Sequence, residues 1–124
     1  MHKTWTGASA IARQYRIHSL GDNPWLLRWK PVCASTESSL SLWLKEKPLS
    51  IYPRAFFSGR QTHGVGQYGR AWKSPNGGVW VSAALPCSSF EQTAVLFGLA
   101  VAVALSERLE NNGVSVHIKW PNDL

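Results

Sequence analysis

Glycines at 64, 66 and 69 give the spacing G-x-G-x-x-G between Gln61 and Trp72. The chemistry of that pattern is a tight turn, close backbone approach to an anion, and a helix N-terminus behind it. The sequence does not supply the helix. Trp72, Lys73 and Ser74 run directly into Pro75-Asn76-Gly77-Gly78, which would break a helix begun at Gly69 within about two turns. A dinucleotide-binding Rossmann unit is therefore not expected. What remains is a mobile glycine loop, flanked by Arg60 and Arg70, whose N–H groups can wrap a small ligand. Two further polar clusters, Ser35-Thr36-Glu37 and Lys119-Trp120-Pro121-Asn122-Asp123, also fall at element boundaries, where sites are usually built. Each cluster has an ordinary structural meaning as well. Ser35 or Thr36 can be a helix N-cap, the loop a plain connection between strands, and Pro-Asn-Asp a turn with Lys119 on the solvent side of a strand.

The elements that would position these clusters follow from periodicity. Trp25 to Cys33 carries an extended pattern and predicts a strand. After the Ser35 or Thr36 cap, apolar residues at 40, 43 and 44 match helical spacing, and Lys47-Pro48 ends that helix. Ile51 to Ser58 is a strand candidate leading into the glycine loop, and Val79 to Leu85 is a nearly continuous apolar strand closed by Pro86. Ser88 or Ser89, with Glu91 or Gln92 three positions on, makes a capping box for a helix that stops at Gly113. Apolar residues lie nearly all round its first two-thirds, from Val95 to Leu105, so burial against a sheet is expected. Val114 to Trp120 alternates with period two and predicts a strand with one buried face. Residues 1 to 24, ending in Gly21-Asp22-Asn23-Pro24, read as a lead-in with room for one short helix and no DNA-reading domain. Residues 25 to 124 then form an α/β layered domain without internal repeats.

Composition narrows the function classes. A chain of 124 residues that is 44% hydrophobic holds at most one domain with a real core. Its net charge of +6 favours an anionic partner, but the basic residues are scattered and form no nucleic-acid arm. Seven Trp residues could stack on single-stranded nucleic acid, yet Trp43, Trp80 and Trp120 fall in expected core elements. Cys33 and Cys87 have no C-x-x-C spacing and are expected to be buried thiols. His2, His18, His63 and His117 form no metal-ligand pair, so a metal held by protein side chains alone is not expected. The apolar stretch near Ala8 to Ala12 is too short for a signal-peptide core, and Ala94 to Leu105 falls short of the ~20 residues that span a bilayer. A cytoplasmic protein is expected.

Taken together, the three clusters resemble the biotin protein ligases (biotin-[acetyl-CoA-carboxylase] ligases). The matching residues are Ser35-Thr36, Gln61-Thr62, the loop from Gly64 to Gly69-Arg70-Ala71-Trp72, Ser74-Pro75-Asn76-Gly77, and Lys119-Trp120-Pro121-Asn122-Asp123. The resemblance covers about residues 26 to 124, and Lys-Trp-Pro-Asn-Asp after such a loop is its specific part. It implies a mixed sheet with flanking helices, like class II aminoacyl-tRNA synthetases, of which this chain holds the N-terminal half of the catalytic domain. It also implies ATP-dependent conversion of biotin to biotinyl-5'-AMP, with Mg²⁺, and transfer to a lysine on the biotin carrier domain of a carboxylase. Carried over residue by residue, Ser35, Thr36 and Gln61 would bond the ureido end of biotin, with Glu37 beside them. Val65, Gly66 and Gln67, following Gly64, would fold over the carboxylate and then the adenylate. Gly64, Gly69, Arg70, Trp72 and Asn122 would line the nucleotide, and Lys119 and Asp123 would be catalytic, Asp123 orienting a Mg²⁺ held mainly by ATP phosphates.

This sequence departs from the family pattern in two respects. Many members carry Arg where this loop has Val65 and Gln67, so two charge-assisted donors are missing, each worth ~1.5 to 3 kcal/mol. A family lysine a few residues after Lys-Trp-Pro-Asn-Asp, and the family's C-terminal domain, have no counterpart here, so activity of these residues by themselves is not expected. Two alternatives stand beside the ligase reading: a non-catalytic biotin-binding fragment, and a lipoate or octanoate ligase relative.

Overall fold

A computed structural model of the chain describes residues 10–11, 13–15, 25–49, 51–86, 90–119 and 123–124. They fall into two compact units, Met1–Pro86 and Cys87–Leu124, each treated separately below.

The first unit is built on strand β2, Arg54–Val65, which is long enough to pair with three others. Strand β1, Leu26–Cys33, runs parallel to it in register from Leu26 opposite Arg54 to Cys33 opposite Gln61. Two short strands share the opposite edge, both antiparallel. Strand β4, Trp80–Ala84, pairs with Arg54 to Ser58, and strand β3, Ala71–Ser74, pairs with Gln61 to Val65. Parallel neighbours need a crossover connection, and helix α1, Thr36–Glu46, supplies it, packing on β2 and β4. The mixed sheet expected from the family resemblance is therefore present. Of residues 10 to 15, Ala10, Ile11 and Arg13 to Tyr15 are helical, which matches the single short helix expected in the lead-in.

Helix α1 begins at Thr36 because Ser35 is its N-cap, extended at φ −156°, with its hydroxyl accepting from the Ser38 N–H at 3.3 Å. Leu40 and Trp43, one helical face, bury against Cys33 and Phe56, with Leu44 and Ala84 at the margin. Each such large apolar side chain stabilises the packing by roughly 1.5 to 3 kcal/mol. The helix end is held by Arg54, a residue that no sequence motif singles out. Its buried guanidinium donates to the carbonyls of Lys47 and Pro48, the latter at 3.1 Å, and lies 5.1 Å from the Trp43 ring centroid. A cation thus meets the C-cap carbonyl of the helix and the carbonyl that follows it. Arg28 lies 4.3 Å from the same ring centroid.

The glycine-rich segment differs from the expected irregular loop. β2 continues through Gln61 to Val65 and turns back into β3, making a hairpin. Its tip closes with Gly66 N–H to the Arg70 carbonyl at 2.7 Å and Arg70 N–H to the Gln67 carbonyl at 3.2 Å, and Tyr68 and Gly69 take left-handed φ of 58° and 72°. Gly69 takes its left-handed φ without a Cβ penalty, and cross-strand pairing orders the rest. Strand β3 starts two residues after Gly69, where a Rossmann unit would begin its helix.

In the second unit, helix α2 spans Phe90–Asn111. It ends in a Schellman arrangement: Val114 N–H bonds the Leu109 carbonyl at 2.9 Å, Gly113 N–H bonds the Glu110 carbonyl at 2.9 Å, and Gly113 has φ 82°. The expected cap residues Ser88 and Ser89, and Cys87, lie outside the described residues. Ala102 and Ser106 are buried, whereas Leu96, Phe97, Val101, Val103 and Leu105 are exposed, contrary to the burial expected of them. A helix apolar on every side cannot turn all of it to one surface. The strand expected over Val114 to Trp120 is not formed at 114–118. Alternation specifies which face would be buried, but a strand also needs a ladder partner. Lys119 pairs instead with Asp123, N–H to carbonyl at 2.7 and 3.0 Å in the two directions.

Candidate active site

Gln61 sits where four elements meet. It is opposite Cys33 on β1 and Ser74 on β3, and its side chain reaches the first turn of α1. The carboxamide oxygen accepts from the Thr36 backbone N–H at 2.7 Å and from the Thr36 hydroxyl at 3.1 Å, while Nε2 donates to Ser74 Oγ at 3.0 Å. The Thr36 N–H is one of the groups a helix start leaves without an intrahelical partner, so Gln61 completes the cap that Ser35 begins. Ser74 Oγ donates onward to the Trp72 carbonyl at 3.3 Å, and on the far side Thr36 Oγ1 lies 2.8 Å from Ser82 Oγ on β4. Thr36 and Ser74 are each 4% exposed, so this chain of hydrogen bonds crosses the unit largely out of water.

Backbone geometry makes room for it. Between Gln61 and Gly64 the register against β3 slips by one residue, a β-bulge that carries Thr62 and His63. His63 N–H bonds the Ala34 carbonyl at 2.8 Å, tying the bulge to the β1–α1 turn. Gly64 packs so closely that an added Cβ would lie 2.8 Å from both Ser74 Oγ and the Trp72 carbonyl oxygen. No other residue fits there without displacing the network.

The hairpin also walls an open groove of about 720 Å³ whose lining includes Gln61, Gly64, Val65, Gly69 and Trp72. Arg60, expected to flank the loop, and Thr62, part of the Gln61-Thr62 motif, line this groove as well, whereas sequence reasoning missed His63 and Lys73. Ser35, Thr36 and Glu37 do not line it. Thr36 connects to it through Gln61, Ser35 accepts the α1 cap bond from the Ser38 N–H, and Glu37 is exposed in the first helical turn. Gly66 and Gln67 form the hairpin tip with Arg70, and Val65 and Trp72 are exposed beside it, the Trp72 ring lying against Gly66. In the other unit Lys119 and Asp123 are exposed and joined by their backbone bridge, and Trp120, Pro121 and Asn122 lie outside the described residues. Among the described residues no three His, Cys, Asp or Glu side chains converge as a metal site. Ser82 was missed for a simple reason. A lone serine in an apolar strand reads as tolerance, and only the alternation of half-buried Trp80, Ser82 and Ala84 with exposed Val81 and Ala83 turns it toward Thr36.

Comparison with known proteins bears on this arrangement. Residues 33–124 match the model of the Biotin/lipoate A/B protein ligase family. Over 67 residues, 52% of this chain and 21% of the relative, the sequence is 39% identical to the bifunctional ligase/repressor BirA of Bacillus subtilis. The fold matches biotin acetyl coenzyme A carboxylase synthetase from Helicobacter pylori with bound biotinylated ATP, at a TM-score of 0.60 and 26% identity over 79% of this chain and 47% of that one. It matches the biotin protein ligase of Aquifex aeolicus, in complex with biotin and ATP, at a TM-score of 0.54 and 36% identity over 78% and 40% of the two chains. The Leishmania major biotin protein ligase, at a TM-score of 0.57 and 21% identity over 73% and 35%, shares the fold. The chain spans less than half the length of each of these proteins.

Proposed function

Because the chain belongs to the Biotin/lipoate A/B protein ligase family, we propose that it is the biotin-binding part of a biotin protein ligase. In the proposed reaction a biotin carboxylate oxygen attacks the α-phosphorus of ATP and pyrophosphate leaves, giving biotinyl-5'-AMP. A lysine Nζ on the biotin carrier domain of a carboxylase then attacks the acyl carbon, and AMP leaves. The observation that carries the biotin reading is the carboxamide of Gln61, fixed by Thr36 and Ser74. A buried neutral ureido group needs several fixed polar partners, whereas the dithiolane of lipoate has no N–H or carbonyl to use them. The identities of the structural relatives that bind biotin and ATP support the same choice.

In this reading Gln61, Thr36 and Ser35 hold the ureido end, and the hairpin from Gly64 to Gln67 closes over the carboxylate and adenylate to exclude water from a reactive mixed anhydride. Gly69, Arg70 and Trp72, on the hairpin, serve the nucleotide, and Asn122, Lys119 and Asp123 keep the nucleotide and phosphate roles that the family resemblance implies for them. An exposed carboxylate at Asp123, with no cluster of three metal-ligating side chains among the described residues, suits a Mg²⁺ carried chiefly by ATP. Among the described residues no helix is long and apolar enough to cross a membrane, and a cytoplasmic site of action is part of the same proposal. Calorimetry with biotin, lipoate and a non-hydrolysable biotinyl-AMP analogue tests it. Biotin should bind, the analogue more tightly, and lipoate should not compete. Equal competition by lipoate would transfer the chain to the lipoate branch, and an analogue no tighter than biotin would remove the adenylation step.

A further inference from the structure

The hydrogen bonds around Gln61 have only one consistent direction. A backbone N–H can only donate, so the atom 2.7 Å from Thr36 N is the carboxamide oxygen, and Nε2 must face Ser74. Ser74 Oγ, accepting from Nε2, donates its single proton to the Trp72 carbonyl. On the other side, Thr36 Oγ1 has one proton, and the oxygen 3.1 Å away on Gln61 can only accept it. The contact between Thr36 Oγ1 and Ser82 Oγ at 2.8 Å is then a bond donated by Ser82. A donation from Thr36 to Ser82 would leave two acceptors facing each other at the Gln61 contact.

We propose that Ser82 is a positioning residue: by donating to Thr36 it occupies a Thr36 lone pair and keeps the Thr36 proton on Gln61, so that the direction imposed by the Thr36 N–H is held through Gln61 and Ser74 to the Trp72 carbonyl before any ligand arrives. The valences left over are one N–H of Gln61 and the lone pairs of Thr36 and Ser82. One donor beside two acceptor oxygens, with the protons of Thr36 and Ser82 both committed inside the network, complements a carbonyl flanked by N–H groups better than a group that can only accept. This rests on the biotin reading above, and deepens it by giving a strand residue that the sequence motifs do not contain the task of holding the polarity of the ureido subsite. Ser82 lies opposite Phe56 on β2, so packing anchors it independently of any ligand.

The test uses ¹⁵N-labelled chain and the variants Ser82→Ala, Ser82→Thr, Thr36→Val and Thr36→Val with Ser82→Ala. In the ligand-free protein the Gln61 side-chain amide resonances should move in Ser82→Ala in the same direction as in Thr36→Val, and stay at their wild-type positions in Ser82→Thr, which keeps the hydroxyl. In calorimetry Ser82→Ala should weaken biotin about fivefold, the loss of one neutral hydrogen bond, Ser82→Thr should restore it, and the double variant should bind no more weakly than Thr36→Val alone. Gln61 resonances unmoved in Ser82→Ala, or losses that simply add in the double variant, would overturn the proposal. If Ser82 only filled space, Ser82→Ala would lower the urea midpoint without moving those resonances. If the wild-type chain binds no biotin, the function proposed above fails, and the resonances still decide the role of Ser82.

Discussion

Replacing Gln61 separates what the network does for the fold from what it does for a ligand. In Gln61→Leu the Thr36 N–H and hydroxyl and the Ser74 hydroxyl all lose their bonds to the carboxamide, at 2.7, 3.1 and 3.0 Å. Thr36 and Ser74 are almost fully buried, so water replaces little of what is lost. At roughly 1 kcal/mol for each neutral bond, and more for a buried donor left without a partner, the cost should be about 3 kcal/mol. Gln61→Glu behaves differently. A carboxylate still accepts from both Thr36 donors, and negative charge at a helix N-terminus is favourable by about 0.3 to 1 kcal/mol. Ser74 only has to turn its proton toward the new oxygen. Stability at neutral pH should therefore stay within about 1 kcal/mol of wild type, while the N–H that would meet a ureido carbonyl is gone and like dipoles face each other. Biotin affinity should fall by at least about a hundredfold, the equivalent of ~2.7 kcal/mol. Urea unfolding and calorimetry on the two variants read these effects separately. A Gln61→Leu protein as stable as wild type would refute the structural role, and undiminished biotin binding by Gln61→Glu would refute the amide as donor.

Other consequences are more local. Gly64→Ala should cost about 1 to 3 kcal/mol in urea unfolding, because the new Cβ meets Ser74 Oγ and the Trp72 carbonyl at 2.8 Å and the latter is backbone. Arg54→Met should cost roughly 3 kcal/mol by removing charge-assisted bonds to the Lys47 and Pro48 carbonyls, and Arg54→Lys should not restore it because a point charge lacks the planar fork. Val65→Arg with Gln67→Arg, both on exposed positions, should leave the unfolding midpoint nearly unchanged and slow dissociation of biotinyl-AMP by about tenfold to a hundredfold, read by stopped-flow displacement. An unchanged dissociation rate would remove the argument that those positions weaken closure.

Local signals carried most of what the sequence revealed. A cap at Ser35 or Thr36, of which Ser35 is the one used, the end of α2 at Gly113, and the inward face of Leu40 and Trp43 all follow from spacing and side-chain chemistry alone. The glycine segment was harder. Its positions permit either a loop or a turn, and only the partners Ser74, Trp72 and Ala71 on β3 decide for a hairpin. Val114 to Ile118 is the converse, a correct alternation without a ladder. At the site, Thr36 and Gln61 were legible because a motif paired them across 25 positions, whereas Ser82, 46 positions from Thr36, becomes visible only when β4 lies beside β2. Arg54 escaped for the same reason, since nothing in a strand's first residue announces that a helix will end above it.

Amide hydrogen exchange of the chain with and without biotin addresses the central claim most directly. If Gln61 and the hairpin form the binding site, biotin should slow exchange across residues 61–72 and at the start of α1 around Thr36, with α2 little changed. Exchange in 61–72 that is indifferent to saturating biotin, or slowed no more than in α2, would contradict the account.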